Sequence, residues 1–376
     1  MNSRPSMRPP AGLDQPFSLY LDLVRTLAAL AVVAAHFGYF GIFSARQVAA
    51  IPDFGREAVI AFFVLSGFVI AYSAEHKNHT LGEYAAARCA RLYSVALPVL
   101  LFAFLLAALA AGPLHGRVDD AYQLQRPWLY VPFHLLFLGD VWRFAERPPW
   151  LLPYWSLDYE AWYYVLFGVA CYLRGRRRLL ALACVLALIG PRLWLLLPVW
   201  LSGVALYRWQ RRPHAIGRGA ARAGWLLSVL LMALWGWLDP EPALRQVANG
   251  AWPFTAIRLG SADRVLADYA VMLIVLANFA CARHAGFGLL ERLRSPVRRM
   301  SAHTFTLYLS HGVVIGAWQT LVPIERGQPG TILALAAAIA LVTVALQPLT
   351  VALQRALHAG VMAFAGVLGR VPRVVQ

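Results

Sequence analysis

Long apolar runs are the feature that most limits what this chain can fold into. A helix that crosses the hydrocarbon core of a bilayer needs roughly 17–25 mostly apolar residues, and stretches of that kind recur along the whole sequence. Only 14% of the 376 residues are charged and 60% are hydrophobic, whereas a soluble domain carries about 25% charged residues. The sequence therefore predicts an all-α, polytopic integral membrane bundle.

About ten stretches have the length expected of a membrane span. An eleventh apolar stretch, at 128–142, is shorter and contains Pro132 and His134. We predict one membrane domain over 1–376, with a tail at 1–17 and a short basic tail at 355–376. The predicted spans lie at 18–39, 56–74, 92–112, 155–173, 178–191, 193–208, 224–238, 263–282, 303–322 and 331–353.

Arginine clusters between the apolar runs indicate how the chain is oriented. The stretches 174–178, 208–222 and 292–299 are strongly basic, and basic loops stay on the cytoplasmic side of a membrane. All three fall on the side of the N-terminus if 128–142 does not cross. We therefore predict ten spans in the inner (plasma) membrane, both termini in the cytoplasm, and an outer loop at 113–154.

The net charge of +16 is explained by these loops, so no nucleic-acid partner is expected and membrane lipids are the predicted surroundings. Four cysteines are scattered, with no CxxC pair and no Cys/His cluster at metal-ligand spacing. We predict no metal site and no tightly bound cofactor. The cysteines are Cys89, Cys171, Cys184 and Cys281.

Three ionisable residues interrupt the first span. Arg25 and His36 are eleven positions apart, which places them on one helix face and roughly 16 Å apart along the axis. Asp22 lies one turn from Arg25 and can pair with it. Charged groups inside a membrane are rare unless they pair, line a wet cavity or have a function. The alternative is that Arg25 extends to the inner surface beside Asp22 and that His36 is interfacial.

A second polar group begins at Trp155, in "PYWSLDYEAWYYVLF". If a helix starts there, Ser156, Tyr159, Glu160 and Tyr163 follow the i, i+3, i+4, i+7 pattern and share one face. A carboxylate inside the membrane must be paired, protonated or in contact with water. Glu160 is therefore a candidate functional group, and the alternative is a structural bond to a neighbouring helix.

Further candidates follow the same reasoning. Thr304, Tyr308 and His311 lie on adjacent turns of one face, although a single buried histidine can also be purely structural. Arg88 and Arg91 share a face before the third span and can serve as a topology signal or an anion site. The Ser66-Gly67 pair, in "FFVLSGFVIAYS", predicts a close helix contact through small residues.

Five segments, in this order, resemble the acyltransferase 3 family of integral-membrane acyltransferases, which includes O-antigen and exopolysaccharide O-acetyltransferases. "LDLVRTLAALAVVAAHF" is similar to the first-helix Arg and His motif, and "FFVLSGF" to the second helix. "AARCARLYSVALP" resembles the Arg-x-x-Arg segment, "YWSLDYEAWYYVLF" the Trp-Ser-Leu-x-x-Glu signature, and "TFTLYLSHGVV" the late Tyr-Leu-x-His element. The resemblance covers nearly the whole chain.

The resemblance implies transfer of an acyl group, usually acetyl, from cytoplasmic acyl-coenzyme A to a hydroxyl of a sugar or lipid-linked glycan at the outer face. Acyl transfer to an alcohol needs a base, and histidine suits that role near neutral pH. We expect His36 to take the hydroxyl proton, Glu160 to orient His36 or the acceptor, and Arg25 to contact the donor. The predicted substrate and donor contacts are Asp22, Arg88, Arg91, Trp155, Ser156, Tyr159, Tyr308 and His311.

Two other classes stay open on the sequence alone: a transporter or flippase for a glycan or small solute, and a structural partner in export. An acyl-histidine intermediate and direct transfer are both compatible with the residues. The sequence does not fix the acceptor, the acyl chain or the oligomeric state.

Overall fold

The computed structural model describes residues 14–111, 121–212, 216–254, 256–322 and 325–367, which form α-helices, short 3-10 turns and connections without a strand. Parts of three predicted segments lie outside the described residues, namely 1–13 and 368–376 of the tails and 113–120 of the outer loop. The predicted all-α class agrees with the described chain.

The α-helices of these ranges are, in chain order, α1 (Gln15–Tyr39), α2 (Ala45–Ala50), α3 (Gly55–His76), α4 (Leu81–Ala111), α5 (Pro127–Leu135), α6 (Tyr154–Tyr172), α7 (Gly175–Ile189), α8 (Pro191–Gln210), α9 (Arg218–Leu238), α10 (Glu241–Ala251), α11 (Val265–Ala285), α12 (Arg294–Leu321) and α13 (Pro329–Val367).

The long helices run between two ends of the bundle, here named the Arg25 side, where α1 begins, and the His36 side, where α1 ends. Contacts at the helix ends fix the direction of each helix. The end of α3 meets the end of α8, where Tyr207 bonds to Glu75, and the start of α12 meets the start of α1 through Arg298 and Asp22. On this evidence, the long helices of the described ranges alternate in direction along the chain. These helices are α1, α3, α4, α6, α7, α8, α9, α11, α12 and α13.

Six of the described helices are long and apolar enough to cross a membrane by themselves, namely α1, α3, α4, α9, α11 and α13. The pair α7 and α8 also passes when taken together, although it is bent by 119°. Polar side chains lower the hydropathy of α6 and α12, and these are the two helices that carry Glu160 and His311. The number of ten spans stays a prediction.

Two short features fit the predicted path of the chain. Helix α5 has nine residues, too few to cross the hydrocarbon core, and His134 at its end is bonded to Gln123 beside Tyr154. The break between α7 and α8 falls at Gly190, whose φ of +77° is in the region that favours glycine. The sharp bend therefore falls at the boundary between the predicted spans 178–191 and 193–208.

The predicted small-residue contact joins α3 and α8. A Cβ added to Gly67 would lie 2.0 Å from the carbonyl oxygen of Trp200, and one added to Gly203 would lie 1.9 Å from that of Val64. The two backbones approach each other through these glycines, as small residues allow at helix interfaces in membranes. This close contact holds Ser66, the neighbour of Gly67, beside α6.

The end of α13 differs from the sequence prediction. The stretch 355–376 was expected to be a tail, but α13 continues through Arg355 and His358 to Val367. The helix packs along α4, where a Cβ on Gly82 would lie 3.1 Å from the Cβ of Ala365. Apolar and small residues continue past Arg355 in this stretch, which explains why the helix does not end at the charge.

Candidate active site

A cavity of about 740 Å³ lies on the Arg25 side of the bundle, and we name it the Arg25 cavity. Its walls come from α1, α3, α4, α6, α12 and α13. Six cationic side chains line it, whereas only two carboxylates do, so its wall is electropositive. The cations are Arg25, Lys77, Arg88, Arg91, Arg298 and Arg355, and the carboxylates are Asp22 and Glu160.

Asp22 pairs with Arg25, as predicted from their spacing. The Arg25 Nη1 atom lies 3.5 Å from Asp22 Oδ1. The same carboxylate also accepts hydrogen bonds from Ser301, at 2.9 Å, and from Arg298, at 3.3 Å. Because one carboxylate serves two guanidinium groups, its charge offsets only part of theirs, and this corner of the cavity favours an anionic ligand.

Glu160 also lies in the Arg25 cavity, on the face of α6 that looks towards α3. Ser66 Oγ donates to Glu160 Oε1 at 2.6 Å, and the Tyr164 hydroxyl donates to the same oxygen. Arg91 is near enough to Glu160 for their charges to interact. Among the described residues, the hydrogen-bond partners of Glu160 are on α3 and on its own helix, so a direct bond from Glu160 to His36 is not formed. The other expected role of Glu160, orientation of the acceptor, stays a prediction.

Arg88 and Arg91 extend from α4 into the same cavity. Arg88 lies over the Tyr164 ring, 5.6 Å from its centroid, and its Nη2 atom donates to Ser73 Oγ at 3.3 Å. Its Nε atom is buried with no hydrogen-bond partner in the described part of the chain. Arg91 lies over the Phe305 ring at 5.4 Å. Aromatic faces thus hold both guanidinium groups and leave donors for a ligand.

His36 is bonded to a second histidine. Its Nδ1 atom lies 2.6 Å from Nε2 of His311, and His311 Nδ1 lies 3.0 Å from the carbonyl oxygen of Leu307. A carbonyl oxygen only accepts, so we assign the proton of neutral His311 to Nδ1, and His311 Nε2 then accepts from His36 Nδ1. The lone pair of His36 is therefore on Nε2, which is the form a general base requires.

His36 lines a second cavity of about 390 Å³, which we name the His36 cavity. Its wall contains the indole of Trp155, with Arg56 stacked over the ring at 4.5 Å. Arg56 is held by Asp268 at 2.6 Å. Cations and carboxylates are more evenly matched here than in the Arg25 cavity. The charged lining residues are Asp53, Arg56, Arg147, Arg245, Asp263 and Arg264.

Tyr308 separates the two cavities and lines both of them, as does Val59. The Tyr308 hydroxyl lies 2.6 Å from Ser156 Oγ, and Ser156 faces the Arg25 cavity. The predicted common face of Thr304, Tyr308 and His311 is confirmed: Thr304 lines the Arg25 cavity, Tyr308 the boundary, and His311 contacts His36.

Tyr159 does not share the cavity face of α6, in contrast to the prediction. It is fully buried, stacks on Phe63 with ring centroids 6.2 Å apart, and lines neither cavity. Residues four apart, namely Ser156, Glu160 and Tyr164, form the face that lines the Arg25 cavity. Tyr163 is off this face too, since its buried hydroxyl donates to the Leu193 carbonyl oxygen at 2.7 Å. Both misplaced tyrosines are three positions after a member of the row, and an i+3 position turns about 60° away from it.

Several site residues were missed by the sequence reasoning. Arg56 and Arg147 border apolar runs and carried no motif, while Arg298 belongs to the basic stretch 292–299 that was interpreted only as a topology signal. Ser66 was singled out for packing alone. The i+4 spacing from Glu160 could have indicated Tyr164. Within the described residues, no three His, Cys, Asp or Glu side chains are grouped so that they could hold a metal ion.

Comparison with known proteins identifies the family of this chain. The sequence profile of an acyltransferase domain matches residues 18–349. The acyltransferase MdmB of Streptomyces mycarofaciens is 31% identical over 155 residues, which are 38% of this chain. The match spans 36% of that relative, or about a third of its length. No solved structure matches. Because the profile covers most of the chain, the protein belongs to the acyltransferase 3 family.

Proposed function

We propose that the protein transfers an acyl group, acetyl in the first instance, from acyl-coenzyme A to a hydroxyl of a sugar or lipid-linked glycan. The donor enters the Arg25 cavity from the cytoplasm, and the acceptor enters the His36 cavity from the outer face of the inner membrane. One observation carries this proposal: two cavities of different charge, on opposite sides of the bundle, share the wall formed by Tyr308.

The Arg25 cavity suits the donor. Coenzyme A carries phosphates at one end and a neutral pantetheine arm at the other. The cations of α1 and α4 provide charge-assisted hydrogen bonds for phosphate oxygens, and the stretch between Ser66 and Tyr308 is lined by hydroxyl and apolar groups and by Glu160. The arm then brings the thioester towards Tyr308, since Arg25 and His36 are only about 16 Å apart along α1.

The His36 cavity suits an alcohol acceptor. Trp155 offers an aromatic face, and the arginines and aspartates around it offer hydrogen bonds that a polyhydroxylated ring can use. His36 Nε2 takes the proton from the acceptor hydroxyl, while His311 holds the imidazole in the required tautomer. This arrangement resembles the way a base is oriented by a third group in other acyl-transfer sites.

The acyl transfer needs no reactant other than the thioester and the alcohol. The hydroxyl oxygen attacks the thioester carbonyl as its proton passes to His36, and a new C–O bond forms. The C–S bond then breaks, and the coenzyme A sulfur receives the proton from His36. The products are an ester and free coenzyme A. Arg147 interacts electrostatically with His36, and we assign it the stabilisation of the negative charge on the carbonyl oxygen.

The test uses membrane vesicles that contain the protein, acetyl-coenzyme A and an extract of lipid-linked glycans. Mass spectrometry should detect a new ester on the glycan that forms only when acetyl-coenzyme A is present. A transporter would not form this ester. His36→Ala and Arg25→Ala, each inserted normally, should both lose this product. Ester formation at the wild-type level in both variants would refute the mechanism.

A further inference from the structure

The last turns of α13 face the Arg25 cavity. Gln354, Arg355 and His358 all line it, and their i, i+1 and i+4 positions place them on one side of the helix. This part of the chain was expected to be a tail, so the sequence alone gave it no role. The helix is held there by its close packing on α4 at Gly82.

The end of α3 faces these residues across the cavity. Lys77 and Asn78 belong to the same lining, and Lys77 directly follows the last residue of α3. Within the described ranges, no carboxylate lies within 4 Å of the charged groups of Lys77 or Arg355, whereas Arg298 is paired with Asp22. Lys77 and Arg355 therefore leave positive charge that is not paired with a described carboxylate. We name this end of the Arg25 cavity, lined by Lys77, Asn78, Arg355 and His358, the mouth.

This mouth is separate from the deeper cations. Ser66, which contacts Glu160, lies eleven residues before Lys77, or roughly 16 Å along the direction of α3. Arg25 and Arg91 lie in the deeper zone with Glu160. Arg88 lies between the two zones, because its Nη2 atom and the Asn78 amide both donate to Ser73 Oγ. A ligand that satisfies both zones carries negative charge at two places along its length.

We propose that Arg355 and His358, with Lys77 and Asn78, form a site for a phosphate monoester, the 3′-phosphate on the ribose of coenzyme A. The inference rests on the proposed function. The diphosphate of the donor occupies the deeper arginine zone, and the ribose phosphate, the outermost anion of the nucleotide, reaches the mouth. A guanidinium, an ammonium and an amide N–H all donate to phosphate oxygens, and the charged donors give the strongest bonds.

Binding of two ligands that differ only in this phosphate tests the site. The full-length protein in lipid nanodiscs is titrated calorimetrically with coenzyme A and with 3′-dephospho-coenzyme A. Wild-type protein should bind coenzyme A about tenfold more tightly or better, as one or two charge-assisted bonds give. The double variant Arg355→Gln with His358→Gln should bind both ligands with the affinity that wild type has for the dephospho form.

Arg299→Gln is the matched control, because Arg299 is exposed on the same side and does not line the cavity. It should keep the wild-type preference. The proposal is overturned if the double variant weakens both ligands equally, or if wild type binds both ligands with the same affinity; in either case the proposed transfer reaction stands. If wild type binds neither ligand, the choice of coenzyme A as donor fails, and this site fails with it.

Discussion

The two cavities differ in size and in charge. The Arg25 cavity is about 740 Å³ and has six cations against two carboxylates, whereas the His36 cavity is about 390 Å³ and has four arginines, two aspartates and a histidine. Three of those arginines are paired with carboxylates, namely Arg56, Arg245 and Arg264. The large, charged space suits the binding of a long polyanion, and the smaller one suits positioning and proton transfer.

If this division is correct, variants in the His36 cavity should change the chemical step and acceptor use, while variants in the Arg25 cavity should change donor affinity. The reverse result would break the comparison. The largest effect is expected at His36. Among the described residues that line this cavity it is the one histidine, and its bond to His311 orients it as a base.

His36→Gln should lower kcat by about 10²–10⁴-fold, the usual contribution of a general base, because glutamine cannot take the hydroxyl proton. The Kd of coenzyme A should stay at the wild-type value, since the phosphates bind in the other cavity. Turnover with acetyl-coenzyme A and calorimetric binding measure the two quantities separately. A large loss of coenzyme A affinity would show that the cavities are not independent.

Substitution of His311 should lower kcat less than substitution of His36, because His311 acts by positioning His36. His311→Leu removes the acceptor for His36 Nδ1 and is expected to reduce kcat roughly ten- to hundred-fold, which corresponds to about 1–3 kcal/mol for a lost buried hydrogen bond. His311→Gln keeps an acceptor oxygen at a similar position and should recover part of that loss. Equal losses in both variants would mean that His311 acts through packing, and thermal unfolding of both proteins would then show it.

The fold and the site were not equally accessible from the sequence. Helical periodicity gave the polar stripe of α1 and the pairing of Asp22 with Arg25, because both depend on one helix only. It could not give the partner of His36 or of Glu160, since the rotation and neighbours of a helix are set by packing. Ser66 shows this clearly: its small neighbour Gly67 predicted the close contact with α8, and that contact places Ser66 against Glu160.

The end of α13 illustrates the opposite case. Arg355 and His358 were predicted to lie in the short basic tail that follows the last span. The residues after them are apolar or small enough to continue the helix, and α4 supplies a partner for it at Gly82. Tertiary packing therefore turned a predicted tail into a wall of the Arg25 cavity.

On the donor side, Arg91→Gln should raise the KM for acetyl-coenzyme A about tenfold, as expected for one lost charge-assisted bond to a phosphate, with kcat close to wild type. Arg91 lies over Phe305 and beside Glu160, and the aliphatic stem that glutamine shares with arginine should keep part of the packing. Arg299→Gln, outside the cavity, should leave the KM unchanged. A lower kcat with unchanged KM in the Arg91 variant would place this arginine at the reacting group instead.

The smallest effect is expected at Trp155, which forms one wall of the acceptor space. Trp155→Ala should raise the KM for the acceptor roughly fivefold, or by about 1 kcal/mol, because the acceptor ring loses an aromatic face, and Trp155→Phe should restore most of it. Arg56 lies over the same indole but is held independently by Asp268, so its position should survive the change. The KM for acetyl-coenzyme A should not move, since Trp155 does not line the Arg25 cavity. A shift in donor KM with no shift in acceptor KM would exchange the roles assigned to the two cavities.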